Sequence, residues 1–165
     1  MGCIISSIKN AFIPCSNLEK AVVHIPQIAR GYVSNVYDGD TFTIVSYEGD
    51  CSSRMYKYRI RIRGIDCPEM RTKNKHEKEI AEIAQNEVHR LIYHKWVRLG
   101  NMKHDKYGRI LADVSIGSID LSRHLIAKRM AVPYFGKNKI TPNNWKLYYL
   151  KQTSIISISE LENKI

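Results

Sequence analysis

The chain has 165 residues, 44% of them hydrophobic and 25% charged, which is long enough for one globular domain with short extensions at either end. Its formal charge of +10 points to a polyanionic partner, either nucleic acid or an anionic membrane surface, and composition does not choose between the two. The four cysteines, Cys3, Cys15, Cys51 and Cys67, contain no Cys-x-x-Cys pair, which argues against a tetrahedral zinc site. No stretch resembles a secretory h-region or approaches the roughly 18 apolar residues of a membrane span, so a reducing compartment is expected.

Residues 1–28 read as an anchor and linker. Met1-Gly2-Cys3-Ile4-Ile5-Ser6 fits a myristoylation signal on Gly2, with Cys3 placed for palmitoylation; the alternative is an unmodified terminus. One acyl chain holds a membrane only marginally, whereas two anchor stably. Ile4, Ile5, Ile8, Phe12 and Ile13 add an apolar stripe at helical spacing ahead of Pro14. The expected location is the cytoplasmic face of a membrane, or the cytoplasm without acylation.

Residues 29–140 form the expected domain. A strand over 31–37, the turn pair Asp38-Gly39 and a strand through Phe42, Ile44 and Val45 predict a hairpin. Between about 55 and 65, Tyr56, Tyr58, Ile60 and Ile62 alternate with Lys57, Arg59, Arg61 and Arg63, predicting one inward face and one cationic face before a bend at Gly64. The period then changes: Ile80, Ile83, Ala84, Val88, Leu91 and Ile92 predict an amphipathic helix over 76–94, with Glu77, Glu79, Glu82 and Glu87 on its wet side. Strands through Trp96–Leu99 and Ile110–Ile116 flank a polar turn at 104–108, and Asp120 or Ser122 caps a second helix carrying Leu121, Leu125 and Ile126. Residues 141–165 read as a C-terminal helical extension around Trp145, Leu147 and Tyr148. Five short strands with an inserted helix predict a β-rich α+β domain, a small closed barrel of the OB type with about three helices, and a monomer.

Two acidic clusters stand out, Asp38-Gly39-Asp40-Thr41 and Asp66-Cys67-Pro68-Glu69. Between them and just beyond, residues 57–109 hold 14 Lys or Arg against 7 Asp or Glu. Carboxylates at strand ends in so basic a chain suggest a hard cation facing an anionic substrate. Phosphodiester hydrolysis needs a nucleophilic water, a group to take its proton and positive charge around a transition state more negative than the ground state. Acids and arginines of this kind supply all three.

The ordered motifs Asp38-Gly39-Asp40-Thr41, Arg61 with Asp66-Cys67-Pro68-Glu69, and Asp105-Lys106-Tyr107-Gly108-Arg109 resemble the staphylococcal nuclease (thermonuclease) family over about 31–137. The resemblance implies a five-stranded OB barrel with three helices, dependence on Ca2+, and cleavage of DNA and RNA, with a bias toward single-stranded regions. Carried over by position, Asp40, Asp66 and the backbone carbonyl of Cys67 would hold calcium, Glu69 would be the general base, and Arg61 and Arg109 would contact the scissile phosphate. Lys106 and Tyr107 would lie beside the nucleotide, as would Tyr134, which aligns only with a gap. Cys67 stands where the family often has Thr or Ala, and its thiol raises the expectation of redox sensitivity. The rival reading is a non-catalytic OB module that binds single-stranded nucleic acid; a lipid-binding adaptor would leave the acidic motifs unexplained.

Overall fold

A computed structural model describes residues 24–48, 54–136 and 140–150. The hairpin forms as β1 (Arg30–Val36) and β2 (Thr41–Tyr47), followed by β3 (Met55–Ile62) and a two-residue β4 (Ile65–Asp66). Helix α1 (Lys75–Ile92) leads to β5 (Trp96–His104), β6 (Ile110–Ile116), β7 (Ile119–Asp120) and α2 (Leu121–Ala127); β8 (Val132–Pro133) and α3 (Trp145–Tyr149) follow. The main sheet runs β3-β2-β1-β5-β6, and a parallel β3–β6 pairing joins its edges into a closed five-stranded barrel of the OB type. Closure pairs each of these five strands on both sides over at least part of its length.

The barrel fills with the inward residues of each strand, among them Val33, Phe42, Ile44, Ile60, Ile62, Val97 and Val114, all at most 2% exposed. Each such side chain contributes about 1.5–3 kcal/mol of transfer free energy. One end is plugged by α1, whose Ala84, Val88, Leu91 and Ile92 join the same core. Asn74 caps α1 by accepting from the His76 and Glu77 N–H groups at 3.0 and 3.4 Å. Of the two expected caps for α2, Asp120 does the work, accepting from the Arg123 N–H at 2.9 Å. Trp145 and Tyr148 of α3 are buried, and the Tyr148 hydroxyl donates to the Ala131 carbonyl at 3.1 Å.

Three details depart from the alternation rules. The third strand stops at Ile62 instead of running to about 65; the expected bend at Gly64 takes φ +81°, and the residues after it pair separately with β8. Tyr56 is exposed instead of inward, because β6 pairs with β3 only from Ile60 onward and covers nothing before it. Glu87 is not a solvated helix acid: its side chain is 11% exposed and gathers Arg90, His124 and Lys128 at 2.9, 2.7 and 2.9 Å.

Candidate active site

The fold brings the separate motifs to one end of the barrel. In the β2–β3 register Thr41 faces Arg61, and the Ile62 N–H donates to the Asp40 carbonyl at 2.8 Å, so Asp40 and Arg61 are neighbours by strand pairing. The closing β3–β6 register sets Arg61 opposite Leu111, two residues beyond Arg109. The β4–β8 pair puts Asp66 against Val132, and the Tyr134 N–H donates to the Gly64 carbonyl at 2.9 Å. An open cleft of about 760 Å³ results, lined by Asp40, Arg61, Asp66, Cys67, Glu69, Lys106, Tyr107, Arg109 and Tyr134 together with Asp38, Arg59 and Asp105. Every residue of the domain body expected to hold metal, substrate or a reacting proton thus borders one cavity. Gly2 and Cys3 lie outside the described residues.

Arg61 sits at the floor. One guanidinium nitrogen is 2.7 Å from Asp40 and another is 3.0 Å from Asp66, and its side chain is only 16% exposed. Both carboxylates are buried, and the Thr41 hydroxyl donates to Asp40 at 2.8 Å. Burial, reinforced by the nearby Asp38, pushes the Asp40 carboxyl up to about 7 against the pull of Arg61. Burial also works against the Arg61 charge, but Asp40 and Asp66 outweigh it and hold its pKa above the ordinary arginine value.

The other β3 arginines have different partners, and this separates the three. Arg63 forks onto Asp113 at 2.7 and 2.8 Å, and Arg59 lies over the Tyr37 ring at 4.7 Å. On the opposite wall, Asp105 organises its loop: its carboxylate accepts from the Tyr107 and Arg109 N–H groups at 2.8 and 2.9 Å and from Arg109 Nε at 2.6 Å. Burial alone would raise the Asp105 pKa, but these Arg109 and Tyr107 donors hold it below the ordinary aspartate value. Tyr107, 71% exposed, carries Lys106 and Arg109 over its ring at 5.0 and 5.4 Å.

Glu69 is exposed at the cleft edge, and its loop is braced by α1: Glu77 accepts from the Glu69 N–H at 3.2 Å and from the Thr72 hydroxyl at 2.7 Å. Asp105 and Glu77 are therefore positioning residues that pattern reading treated as turn and surface chemistry. The four-residue spacing from Asp105 to Arg109 was the available signal for the first. Gly39 was read as turn chemistry, but its φ is not positive; a Cβ there would lie 2.8 Å from Cys67 Sγ and 2.9 Å from the Ala84 Cβ. The glycine allows the Asp38–Asp40 loop to close onto Cys67 and α1.

The donor set fits a hard cation. Two buried carboxylates share one guanidinium and Asp38 adds a third acid, which leaves an excess of negative charge at the floor of a basic cleft. Among the described residues no three His, Cys, Asp or Glu side chains converge to hold a metal, so backbone carbonyl, water and substrate oxygens would complete the shell. Cys67 does not fit a soft site: burial pushes its thiol pKa well above the ordinary value. The same burial, 4% exposure, argues against the redox sensitivity expected for this thiol.

Residues 59–154, more than half of the chain, match the family described as staphylococcal nuclease homologue. A protein of Schizosaccharomyces pombe named as a probable endonuclease is similar at 31% identity over 134 residues, covering 67% of this chain and 57% of that protein. The chain therefore spans little more than half the length of that relative. With the barrel and the ordered cleft residues already in place, this match assigns the chain to the staphylococcal nuclease homologue family.

Proposed function

We propose that this protein is a calcium-dependent nuclease that hydrolyses phosphodiester bonds of DNA and RNA. One observation carries the reading: two buried carboxylates, Glu69 and two guanidiniums border a single cleft in a basic domain. The relative named as an endonuclease agrees with it.

Calcium held by Asp40, Asp66 and the Cys67 carbonyl would supply positive charge to the phosphate and a place for the attacking water. Glu69 takes the proton from that water. Arg61 and Arg109 present flat forks to the non-bridging oxygens, where charge grows toward the transition state, a geometry that lysine cannot copy. Losing one such donor typically lowers kcat by about 10²–10³. Lys106 and Tyr107 hold the neighbouring nucleotide at the mouth, with Tyr134 beside the base. Because the contacts are aimed at phosphate, sugar type matters little, and an open cleft favours unpaired strands.

Acylation at Gly2 and Cys3 would place the enzyme on the cytoplasmic face of a membrane; the support is the Met1–Ser6 pattern alone. No helix among the described residues is long and apolar enough to cross a membrane. In eukaryotic cells Gly2→Ala moves the protein to the soluble fraction on this reading, and an unchanged distribution removes the anchor.

The test of the catalytic reading incubates single-stranded DNA and RNA with wild type in calcium, wild type in chelator, and Glu69→Ala in calcium. Cleavage is expected only in the first. Equal amounts of intact substrate with wild type and Glu69→Ala would leave a binding module.

A further inference from the structure

We propose that the outer face of β1 and β5, away from the cleft, is a second and non-catalytic site that stacks the bases of a single strand already engaged in the cleft. The inference rests on the nucleic-acid reading above and extends it to a surface that the hydrolysis chemistry does not use. Its core is a continuous run of aromatic and cationic side chains. The Arg30 guanidinium lies 5.5 Å from the Trp96 ring centre, and Trp96 meets Tyr32 edge to face at 5.9 Å. Tyr32 is near-parallel to His94 at 6.0 Å, His94 to Tyr93 at 3.9 Å, and Tyr93 to His89 at 4.0 Å.

Two features set this run apart from ordinary surface packing. Trp96 is 53% exposed, whereas the other tryptophan, Trp145, is 3% exposed in the core. A large ring with half its surface in water at a strand start can take a base on its open side. His94 also sits at φ +55°, just past the end of α1, with its N–H donating to the Val33 carbonyl at 3.1 Å. A left-handed non-glycine residue costs roughly 1–2 kcal/mol, and glycine is the usual occupant of such helix ends. The strained position holds an imidazole between Tyr32 and Tyr93, where no catalytic group needs it.

The strand register connects this platform to the cleft. Lys57, Val45, Tyr32 and Trp96 share one row across β3, β2, β1 and β5, and Arg30 faces Arg98 in the row beyond. In the other direction the next β3 arginine is Arg59, which lines the cleft, and then Arg61 on its floor. Four residues along β3 and three strand spacings separate the Arg61 and Trp96 positions by roughly 20 Å. OB domains engage about 4–16 nucleotides, so one strand can occupy both places. The contiguous rings suit bases, and Arg30, with Arg98 opposite it and Lys57 in the Trp96 row, suits phosphates. An interfacial membrane site inserts such rings together with aliphatic neighbours, and the Trp96 row offers only the half-buried Val45.

The experiment follows, in chelator so that nothing is cut, the anisotropy of fluorescein-labelled oligothymidylates of two and twelve residues titrated with each protein, and the tryptophan fluorescence of wild type titrated with the same unlabelled strands and with phosphatidylserine vesicles. The twelve-residue strand is expected to quench the exposed Trp96 signal, and Trp96→Leu to bind it about ten-fold or more weaker. Trp96→Phe restores most of that affinity, and the two-residue strand binds all three proteins alike. Wild-type affinity of Trp96→Leu for the twelve-residue strand, or a response to vesicles without one to oligonucleotide, would overturn the proposal. Calcium-dependent cleavage compared with Glu69→Ala is read separately, so loss of the stacking site and loss of the nuclease reading give different results.

Discussion

Replacing Arg61 by Gln removes the guanidinium that Asp40 and Asp66 share. In the wild type it lies 2.7 and 3.0 Å from two carboxylates that are 4% and 5% exposed. Removing one partner from a buried ionic cluster typically costs about 3–5 kcal/mol, and Asp40, whose pKa burial already raises, relieves part of that by taking up a proton. The cleft is open on one side, which favours the lower end. At roughly 2–4 °C per kcal/mol for a chain of this size, a loss of about 3 kcal/mol lowers Tm in chelator by about 6–12 °C. Calcium should reverse the order of sensitivity. In wild type Arg61 competes with any cation for the same oxygens, whereas the variant leaves them to the ion. Calcium at 100 times its Kd contributes about 2.7 kcal/mol, and the larger Tm rise is expected in Arg61→Gln. Thermal melts of both proteins, with and without calcium, read this directly, and Arg61→Gln combined with Asp66→Asn should recover stability in chelator. An unchanged Tm in chelator, or a larger calcium shift in wild type, would show that Arg61 neither compensates the two acids nor competes with the ion.

Gly39→Ala forces a Cβ to within 2.8 Å of Cys67 Sγ and 2.9 Å of Ala84. Denaturant unfolding should show a loss of about 1–3 kcal/mol, partly recovered by adding Cys67→Ala. Asp105→Ala frees the Arg109 fork and unties the loop, so kcat should fall roughly ten- to hundred-fold, with the melting curve much less affected; an unchanged kcat would exclude a positioning role. Glu87 carries a pH signature. Arg90, followed by Lys128 and His124, holds its carboxylate below the ordinary glutamate range against the effect of burial. A depressed pKa contributes stability above the unfolded value near 4.3 and loses it as pH falls below that value. Wild type and Glu87→Gln should therefore differ by about 1–2 kcal/mol at pH 7 and converge as pH falls from 5 toward 2.

Much of the fold was legible because it is local. Alternation through Ile60 and Ile62, the helical spacing of Ile80, Ala84, Val88 and Leu91, and polar turns at 38–40 and 104–108 each follow from neighbours in sequence, and the matching elements appear within a few residues. The acidic clusters and the three motifs were visible for the same reason. The fate of each β3 arginine was not, because it depends on the non-local β3–β6 closure that sets Arg61 against Leu111, two residues past Arg109, and on Asp113 meeting Arg63. Glu87 looked like a wet helix acid until α2 brought His124 and Lys128 against it. The reason for Gly39 was equally hidden, since its contacts, Cys67 and Ala84, are 28 and 45 residues away. The run from Arg30 to Trp96 joins residues from two strands and a helix end, so no window of sequence contains it.

On the proposed function, the acids of this cleft hold a divalent ion while its arginines receive the phosphodiester. Crystals grown with calcium and a phosphorothioate oligothymidylate, with the ion located by its anomalous signal, test it most directly. Calcium is expected between Asp40 and Asp66, with a phosphate group in contact with both Arg61 and Arg109. A cation bound elsewhere, or a phosphate touching neither arginine, would contradict it.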